Sequence, residues 1–165
     1  MGTLLNYLLS GGPAKQSAAH LLHGAVWARR LVRGDYESSE HVPEREIFDV
    51  VDLSGLVALD VGAHAGSWAR VLSRRVGPSG SVIAYEAFPH YGRALSLAMR
   101  FVGARNVRVR LVAVGSKEGW ADLRWKSENG DFLHGHVHVD QVADPNPGNL
   151  LRVPTVSIDD DLETL

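Results

Sequence analysis

The sequence predicts an α/β fold, a parallel sheet with flanking helices, on three observations. From residue 56 onward, short apolar runs alternate with amphipathic segments. A glycine-rich turn follows the first apolar run, and an acid, Glu86, ends the second. Strand, helix and strand in succession favour parallel pairing through right-handed crossovers. Because ligands of open parallel sheets bind at the carboxyl ends of the strands, this pattern also predicts a ligand site there.

Three strands and two helices account for the alternation. The periodicity predicts strands at 56–61, 81–86 and 107–114 and helices at 67–76 and 89–102. The first strand is a continuous apolar run with one acid, which indicates a strand covered on both faces. Beyond residue 114 the pattern weakens. It predicts short strands at 120–125 and 153–158, a loop-rich stretch at 127–150 and a last helix capped by Asp159.

The first 42 residues predict an N-terminal helical extension to a domain of residues 43–165. A helix is expected at 17–33, and a second helix is expected from Pro43 to about Leu53. The apolar stripe predicted for the first helix consists of Leu21, Leu22, Ala25, Val26 and Val32. Packing on the domain surface is favoured over a cap on a substrate cleft or a partner helix.

Composition narrows the class of protein. The chain has 165 residues, a formal net charge of -2 and no cysteine. Its length suits one domain, and its balanced charge argues against a nucleic-acid partner. Its longest apolar stretches fall short of the ~20 residues that span a bilayer, so no membrane span is expected. No signal peptide is evident, and a cytoplasmic protein is expected.

The turn at residues 60–66 carries the strongest functional signal. Asp60 ends the first strand, and Gly62 and Gly66 follow it. A side chain at either glycine is expected to obstruct a ligand that approaches the backbone. Amides at the start of the next helix are expected to point at that ligand.

Glu86 and Asp60 together favour one nucleoside ligand. Glu86 follows the turn by about 20 residues, where an acid accepts hydrogen bonds from ribose hydroxyls. Asp60 would repel the pyrophosphate of NAD, whereas it suits a ligand with a cationic amino group. S-adenosylmethionine, which has a ribose, an ammonium and a sulfonium but no phosphate, is therefore preferred to NAD.

Four segments together resemble the FkbM family of S-adenosylmethionine-dependent O-methyltransferases. They are Asp60-Val61-Gly62-Ala63-His64-Ala65-Gly66, Tyr85-Glu86-Ala87-Phe88-Pro89, the stretch from Asn106 to Val114 with Glu118-Gly119, and Val153-Pro154-Thr155-Val156-Ser157-Ile158-Asp159-Asp160. The resemblance implies a Rossmann-like class I methyltransferase fold from about Pro43 onward. It also implies methyl transfer to a hydroxyl of a small-molecule acceptor such as a sugar, lipid or secondary metabolite.

The resemblance also implies roles for particular positions. Asp60, Gly62 and Gly66 would line the methionine portion of the donor, and Glu86 would bind the ribose. Ala63 and His64 would flank the donor, and Ala87 and Phe88 would lie near the adenine edge; Ala87 stands where the family usually has proline. His64 is the one candidate for a catalytic base, although a histidine that shapes the turn is the favoured interpretation.

The family pattern continues past the last segment with a further core strand and helices. Their absence from this sequence predicts an apparently truncated sheet in which the first strand has an open edge, covered by a missing C-terminal half or by a homodimer. Two rival functions follow: a catalytically silent binding or partner subunit, and an NAD-dependent oxidoreductase.

Alternating histidines suggest one other kind of site. On a strand, His134, His136, His138 and Asp140 would share a face, as ligands of a divalent metal do. Because the surrounding sequence is loop-rich, solvated histidines are favoured and no metal site is predicted.

Overall fold

A computed structural model describes residues 11–33, 50–127, 138–140 and 147–164 of the chain. Its helices are α1 Pro13–Arg33, α2 Ser67–Val76, α3 Pro89–Phe101 and α4 Ile158–Leu162. Its strands are β1 Val57–Val61, β2 Ser81–Tyr85, β3 Val107–Arg110, β4 Ala113–Val114, β5 Gly119–Arg124, β6 His138–Asp140 and β7 Leu150–Val156. None of the described helices is both long enough and apolar enough to cross a membrane.

The first sheet confirms the predicted α/β architecture. Strands β1, β2 and β3 pair in that order, and both pairs are parallel. Helices α2 and α3 form the two crossovers, and α2 has the bounds that the sequence predicts. The hydrophobic core lies between sheet and helices, where Val82 and Ala84 meet Leu72 and Leu95. This is a Rossmann-like arrangement of a parallel sheet with flanking helices.

The predicted third strand is wrong in one respect, because it is broken in two. Arg110 is the last residue of β3 to pair with β2, and β4 pairs in parallel with β7 in a second sheet. Leu111 and Val112 form the step between them. Because β2 ends at Tyr85, the residues after Arg110 have no β2 residue to pair with, and the chain continues into the second sheet.

The second sheet has the order β4-β7-β5-β6. The strands predicted at 120–125 and 153–158 are present as β5 and β7, which pair antiparallel. Helix α4 follows β7, but Asp159 is not its cap. Ser157 is the capping residue, because its side-chain oxygen accepts a hydrogen bond from the Asp160 N–H at 3.1 Å.

Strand β1 differs from the strand that its apolar sequence predicts. Val57 is 60% exposed and Val61 is 55% exposed, so the expected cover on both faces is wrong. Within the described part of the chain β1 pairs with β2 alone. The apolar sequence of β1 is therefore not a reliable indicator that its side chains are buried.

Helix α1 packs against α3 and extends the predicted helix to Pro13 at its start. Its buried face is not the predicted stripe, because Leu21, Leu22 and Val32 are exposed. The buried residues are Ala19, His23, Gly24, Trp27, Ala28 and Leu31. Gly24 sets the approach, since a Cβ there would lie 2.7 Å from the Leu97 Cβ.

The expected boundary at residues 42–43 and most of the helix predicted from Pro43 lie outside the described residues. Val50 is the first residue described after that gap, and it is helical.

Candidate functional site

A cavity of about 260 Å³ lies where the carboxyl ends of β1 and β2 meet β4 and β5. Four of the predicted cofactor residues line it: Gly62, His64, Glu86 and Ala87. The other lining residues are Val61, Tyr85, Tyr91, Val112, Ala113, Val114 and Leu123. The step that breaks the predicted third strand therefore supplies one wall of the cavity.

Glu86 lies in the wall of this cavity and is held by two backbone donors. Its Oε2 accepts a hydrogen bond from the His64 N–H at 2.8 Å, and its Oε1 accepts one from the Phe88 N–H at 2.8 Å. Burial raises the pKa of the Glu86 carboxyl, and the nearby charge of Asp60 raises it further. The hydrogen bonds from the Phe88 and His64 N–H groups lower it. A carboxylate has about four lone-pair positions. These two donors therefore leave about one acceptor position unused on each Glu86 oxygen.

Asp60 lies beneath the turn and is 8% exposed. Burial raises the pKa of its carboxyl to about 6, and a hydrogen bond from the Ala69 N–H opposes this rise. Its Oδ2 is buried, with no hydrogen-bond partner among the described residues. Asp60 is not among the residues that line the cavity. It therefore does not form part of the cavity wall, although its charge helps to raise the pKa of Glu86.

The first backbone N–H groups of the glycine turn donate hydrogen bonds to other residues of the protein. The N–H groups of Gly62 and Ala63 both donate to the Tyr85 carbonyl oxygen, at 2.9 and 3.0 Å. The third donor of the turn, the His64 N–H, is the one on Glu86. These three amides are thus satisfied within the protein, and the turn contributes shape at this point instead of a row of ligand donors.

The two glycines of the turn serve different purposes. Both have positive φ, 80° at Gly62 and 82° at Gly66. A Cβ at Gly62 would meet nothing within 4 Å, so this position opens to the space beside the cavity. At Gly66 a Cβ would lie 2.3 Å from Leu95 Cδ1 and 2.9 Å from Met99 Cε. The obstruction expected at Gly66 is therefore with α3 and not with a ligand.

His64 adopts a left-handed conformation with φ of 45°, and it is the one described non-glycine residue that does so. Its ring meets Tyr91 edge-on at a centroid distance of 4.5 Å and Trp27 at 5.4 Å. This packing favours the turn-shaping interpretation of His64 over that of a catalytic base. Trp27 and Tyr91 were not among the predicted site residues. Tyr91 lies on the apolar face of α3, where its spacing alone indicates core packing.

Ala63 and Phe88 lie behind the cavity wall, and each is 5% exposed. The Phe88 ring packs edge-on against Tyr91 at 5.0 Å and stacks near Trp125 at 6.1 Å. Phe88 therefore contributes its N–H to Glu86 and its ring to the core, whereas Ala87 reaches the cavity itself.

A cluster of imidazoles lies next to this site, between α1 and α3. His90 Nε2 is 2.9 Å from His23 Nδ1, and both side chains are buried. The His20 ring lies 4.9 Å from that of His90. Burial, with the neighbouring His23, His20 and Arg93, lowers the pKa of His90 to about 3. The cluster therefore favours the neutral forms of His90 and His20.

The histidines considered as metal ligands lie almost wholly outside the described residues. Residues 134 and 136 are not described, and 138 and 140 are described only as ends of the β6 backbone. Elsewhere in the described ranges, no three His, Asp or Glu side chains are placed to hold a metal ion.

Comparison with known proteins identifies no family. No protein-family model matches the chain, and no curated protein matches it. One solved structure, a SAM dependent methyltransferase from Aquifex aeolicus, is similar over 50% of this chain and 45% of its own, at 24% identity and a TM-score of 0.40. Less than half of that protein is spanned, and the fold of the present chain is established by its own strands and helices.

Proposed function

We propose that this chain binds S-adenosylmethionine and transfers its methyl group to an oxygen of a small-molecule acceptor. The observation that carries the proposal is the Glu86 carboxylate, which two backbone N–H groups fix in the wall of the cavity at the carboxyl ends of β1 and β2. Its remaining lone pairs suit the vicinal hydroxyls of a ribose. The sequence resemblance to the FkbM family supports a sugar, lipid or secondary-metabolite hydroxyl as the acceptor.

The charges around the cavity favour S-adenosylmethionine over NAD. Asp60 and Glu86 are both buried carboxyls, and the charge of Asp60 helps to raise the pKa of Glu86. A cationic ligand relieves this repulsion, whereas a pyrophosphate increases it. The first three amides of the turn, which would cradle a pyrophosphate, already donate to Tyr85 and Glu86.

The chain's own residues supply binding and exclusion of water in this proposal. S-adenosylmethionine, when bound, supplies an electrophilic methyl group on a sulfonium. Glu86 orients the ribose, and Asp60 supplies negative potential beneath the turn. In this proposal the apolar side chains of Val112, Val114 and Leu123 exclude water from the part of the cavity that they line. Such positioning is a principal source of rate in group transfer. None of the described side chains is assigned as the base that accepts the hydroxyl proton.

The test is calorimetric titration with S-adenosylhomocysteine, with NADH in a parallel arm. We expect binding of the nucleoside and no binding of NADH. The variant Glu86→Gln should weaken binding by roughly tenfold or more, since it loses charge-assisted hydrogen bonds to ribose worth about 1.5–3 kcal/mol. Glu118→Gln, an exposed acid in the turn before β5, is the matched control and should bind as the parent does.

Two results would contradict the proposal. Tighter binding of NADH than of S-adenosylhomocysteine would replace it with a dinucleotide site. Equal affinity of Glu86→Gln and the parent would remove the ribose assignment. Binding without methyl turnover on a panel of hydroxyl acceptors would favour the silent binding subunit.

A further inference from the structure

The conformation of His64 needs support from the rest of the molecule. A non-glycine residue at φ of 45° is in a sparsely populated region, and such residues persist where their surroundings hold them. Its N–H is also one of the two donors that fix Glu86. Whatever holds His64 in this conformation therefore also holds the carboxylate.

The support comes from two aromatic rings on different helices. Tyr91, on α3, meets the His64 ring edge-on at 87° and 4.5 Å. Trp27, on α1, lies 5.4 Å from the same ring and 5.5 Å from the Tyr91 ring. Both Tyr91 and Trp27 are at least 95% buried, so they have little freedom to move away.

Tyr91 contacts the second donor as well. Its ring packs edge-on against Phe88 at 5.0 Å, and the Phe88 N–H is the donor to Glu86 Oε1. One tyrosine side chain thus touches both residues whose amides hold the carboxylate. Trp27 closes this cluster from the N-terminal helix, which makes α1 part of the site and not only a cover for α3.

We propose that Tyr91 and Trp27 are positioning residues for ligand binding: their rings hold His64 in its left-handed conformation, so that the His64 and Phe88 amides keep the Glu86 carboxylate in place. The part concerning donor affinity rests on the function proposed above. The part concerning the His64 conformation does not depend on the ligand.

The affinity test uses glycine at position 64, because glycine adopts positive φ without help from a ring. In the parent, Trp27→Leu and Tyr91→Leu should each weaken binding of S-adenosylhomocysteine by roughly tenfold. In a His64→Gly background Trp27→Leu should change affinity less than twofold, because Trp27 does not line the cavity.

A control separates this role from simple docking of α1. Leu31 is another buried residue of α1, and the Leu31→Ala variant should lower the melting temperature without changing affinity. An equal loss of affinity in Leu31→Ala and Trp27→Leu, or an undiminished loss in the His64→Gly background, would overturn the proposal.

Hydrogen exchange of the His64 amide, measured by NMR without ligand, tests the conformational part separately. We expect Trp27→Leu and Tyr91→Leu to speed exchange of this amide about tenfold more than Leu31→Ala does. Unchanged exchange relative to Leu31→Ala would overturn the inference whichever ligand binds. Faster exchange in a protein that does not bind S-adenosylhomocysteine would sustain it and refute the proposed function alone.

Discussion

Among single residues, the buried pair of His23 and His90 has the clearest consequence for pH. His90 Nδ1 is buried without a hydrogen-bond partner in the described structure. Its Nε2 lies 2.9 Å from His23 Nδ1, and the tautomers of the two rings decide which nitrogen is the donor of this hydrogen bond.

We predict that His90 makes the folded protein less stable as the pH is lowered. Its pKa is lowered to about 3 in the folded protein from an ordinary value of 6.5. The unfolded chain therefore binds the extra proton between these values, and the stability that His90 contributes is complete above pH 6.5 and lost as pH falls toward 3. Urea unfolding of the parent and of His90→Leu at pH 7 and pH 5 checks this. The parent should lose up to ~2 kcal/mol more than the variant over that interval.

The comparison with the variant is needed because Asp60 acts in the opposite direction. The pKa of its carboxyl is raised to about 6 in the folded protein, so its contribution weakens as pH rises from 3.8 to 6. Asp60 is common to both proteins, and its effect cancels in their difference. Parallel losses of stability in the two proteins would show that His90 is not the group responsible.

Among the elements, the contact of α1 with α3 depends on Gly24. A Cβ at this position would lie 2.7 Å from the Leu97 Cβ and 3.1 Å from the Ala94 carbonyl oxygen. We predict that Gly24→Val lowers the free energy of unfolding by about 1–3 kcal/mol, because the helices must move apart. Thermal melts measure this, and Gly12→Ala is the control, since nothing lies within 4 Å of a Cβ there. Equal melting temperatures for the two variants would contradict the close approach at Gly24.

The contact between α1 and α3 also shows which features could not be predicted from the sequence. The strands and helices from β1 to α3 were predicted to within about one residue, because periodicity and glycine stops are local signals. The buried face of α1 was not, since it contains His23 and Gly24, which rank as polar or neutral, while Leu21 and Leu22 face solvent. The buried face of α1 depends on the surface of α3 that it packs against, and the sequence of α1 alone does not contain that information.

The site divides in the same way. Gly62 and Glu86 were predicted from a turn and an acid in the sequence, and His64 and Ala87 from the family resemblance; all four line the cavity. Trp27 and Leu123 were missed, because their places in the site follow from contacts between residues far apart in the chain. The step at Leu111 and Val112 was missed because an unbroken β pattern runs through it.

In the whole molecule, Asp161 joins the two sheets. It is 4% exposed, accepts a hydrogen bond from the Tyr85 hydroxyl at 3.0 Å and forms an ion pair with Arg110. Tyr85 and Arg110 belong to the first sheet, whereas Asp161 lies on α4, which follows the second sheet directly. This one carboxylate therefore links the two sheets, in addition to the apolar packing between them.

We predict that Asp161→Ala costs about 2–4 kcal/mol of stability, because it leaves the buried Tyr85 hydroxyl without this partner and removes the charge that pairs Arg110. The exposed Asp159 is the control, and Asp159→Ala should cost less than about 0.5 kcal/mol. Denaturant unfolding of both variants measures the difference. A similar small cost for both would mean that the sheets meet independently of this link.

The buried Asp60 carboxyl has one more consequence, which concerns the release of a proton when a ligand binds. With a pKa of about 6, this carboxyl is protonated in part of the population at mildly acidic pH. In the function proposed above, a cationic ligand bound near Asp60 would favour the ionised form, so that a proton would be released as the ligand binds. The affinity for that ligand would then rise by up to about tenfold per pH unit as the pH increases toward 6 and level off above it.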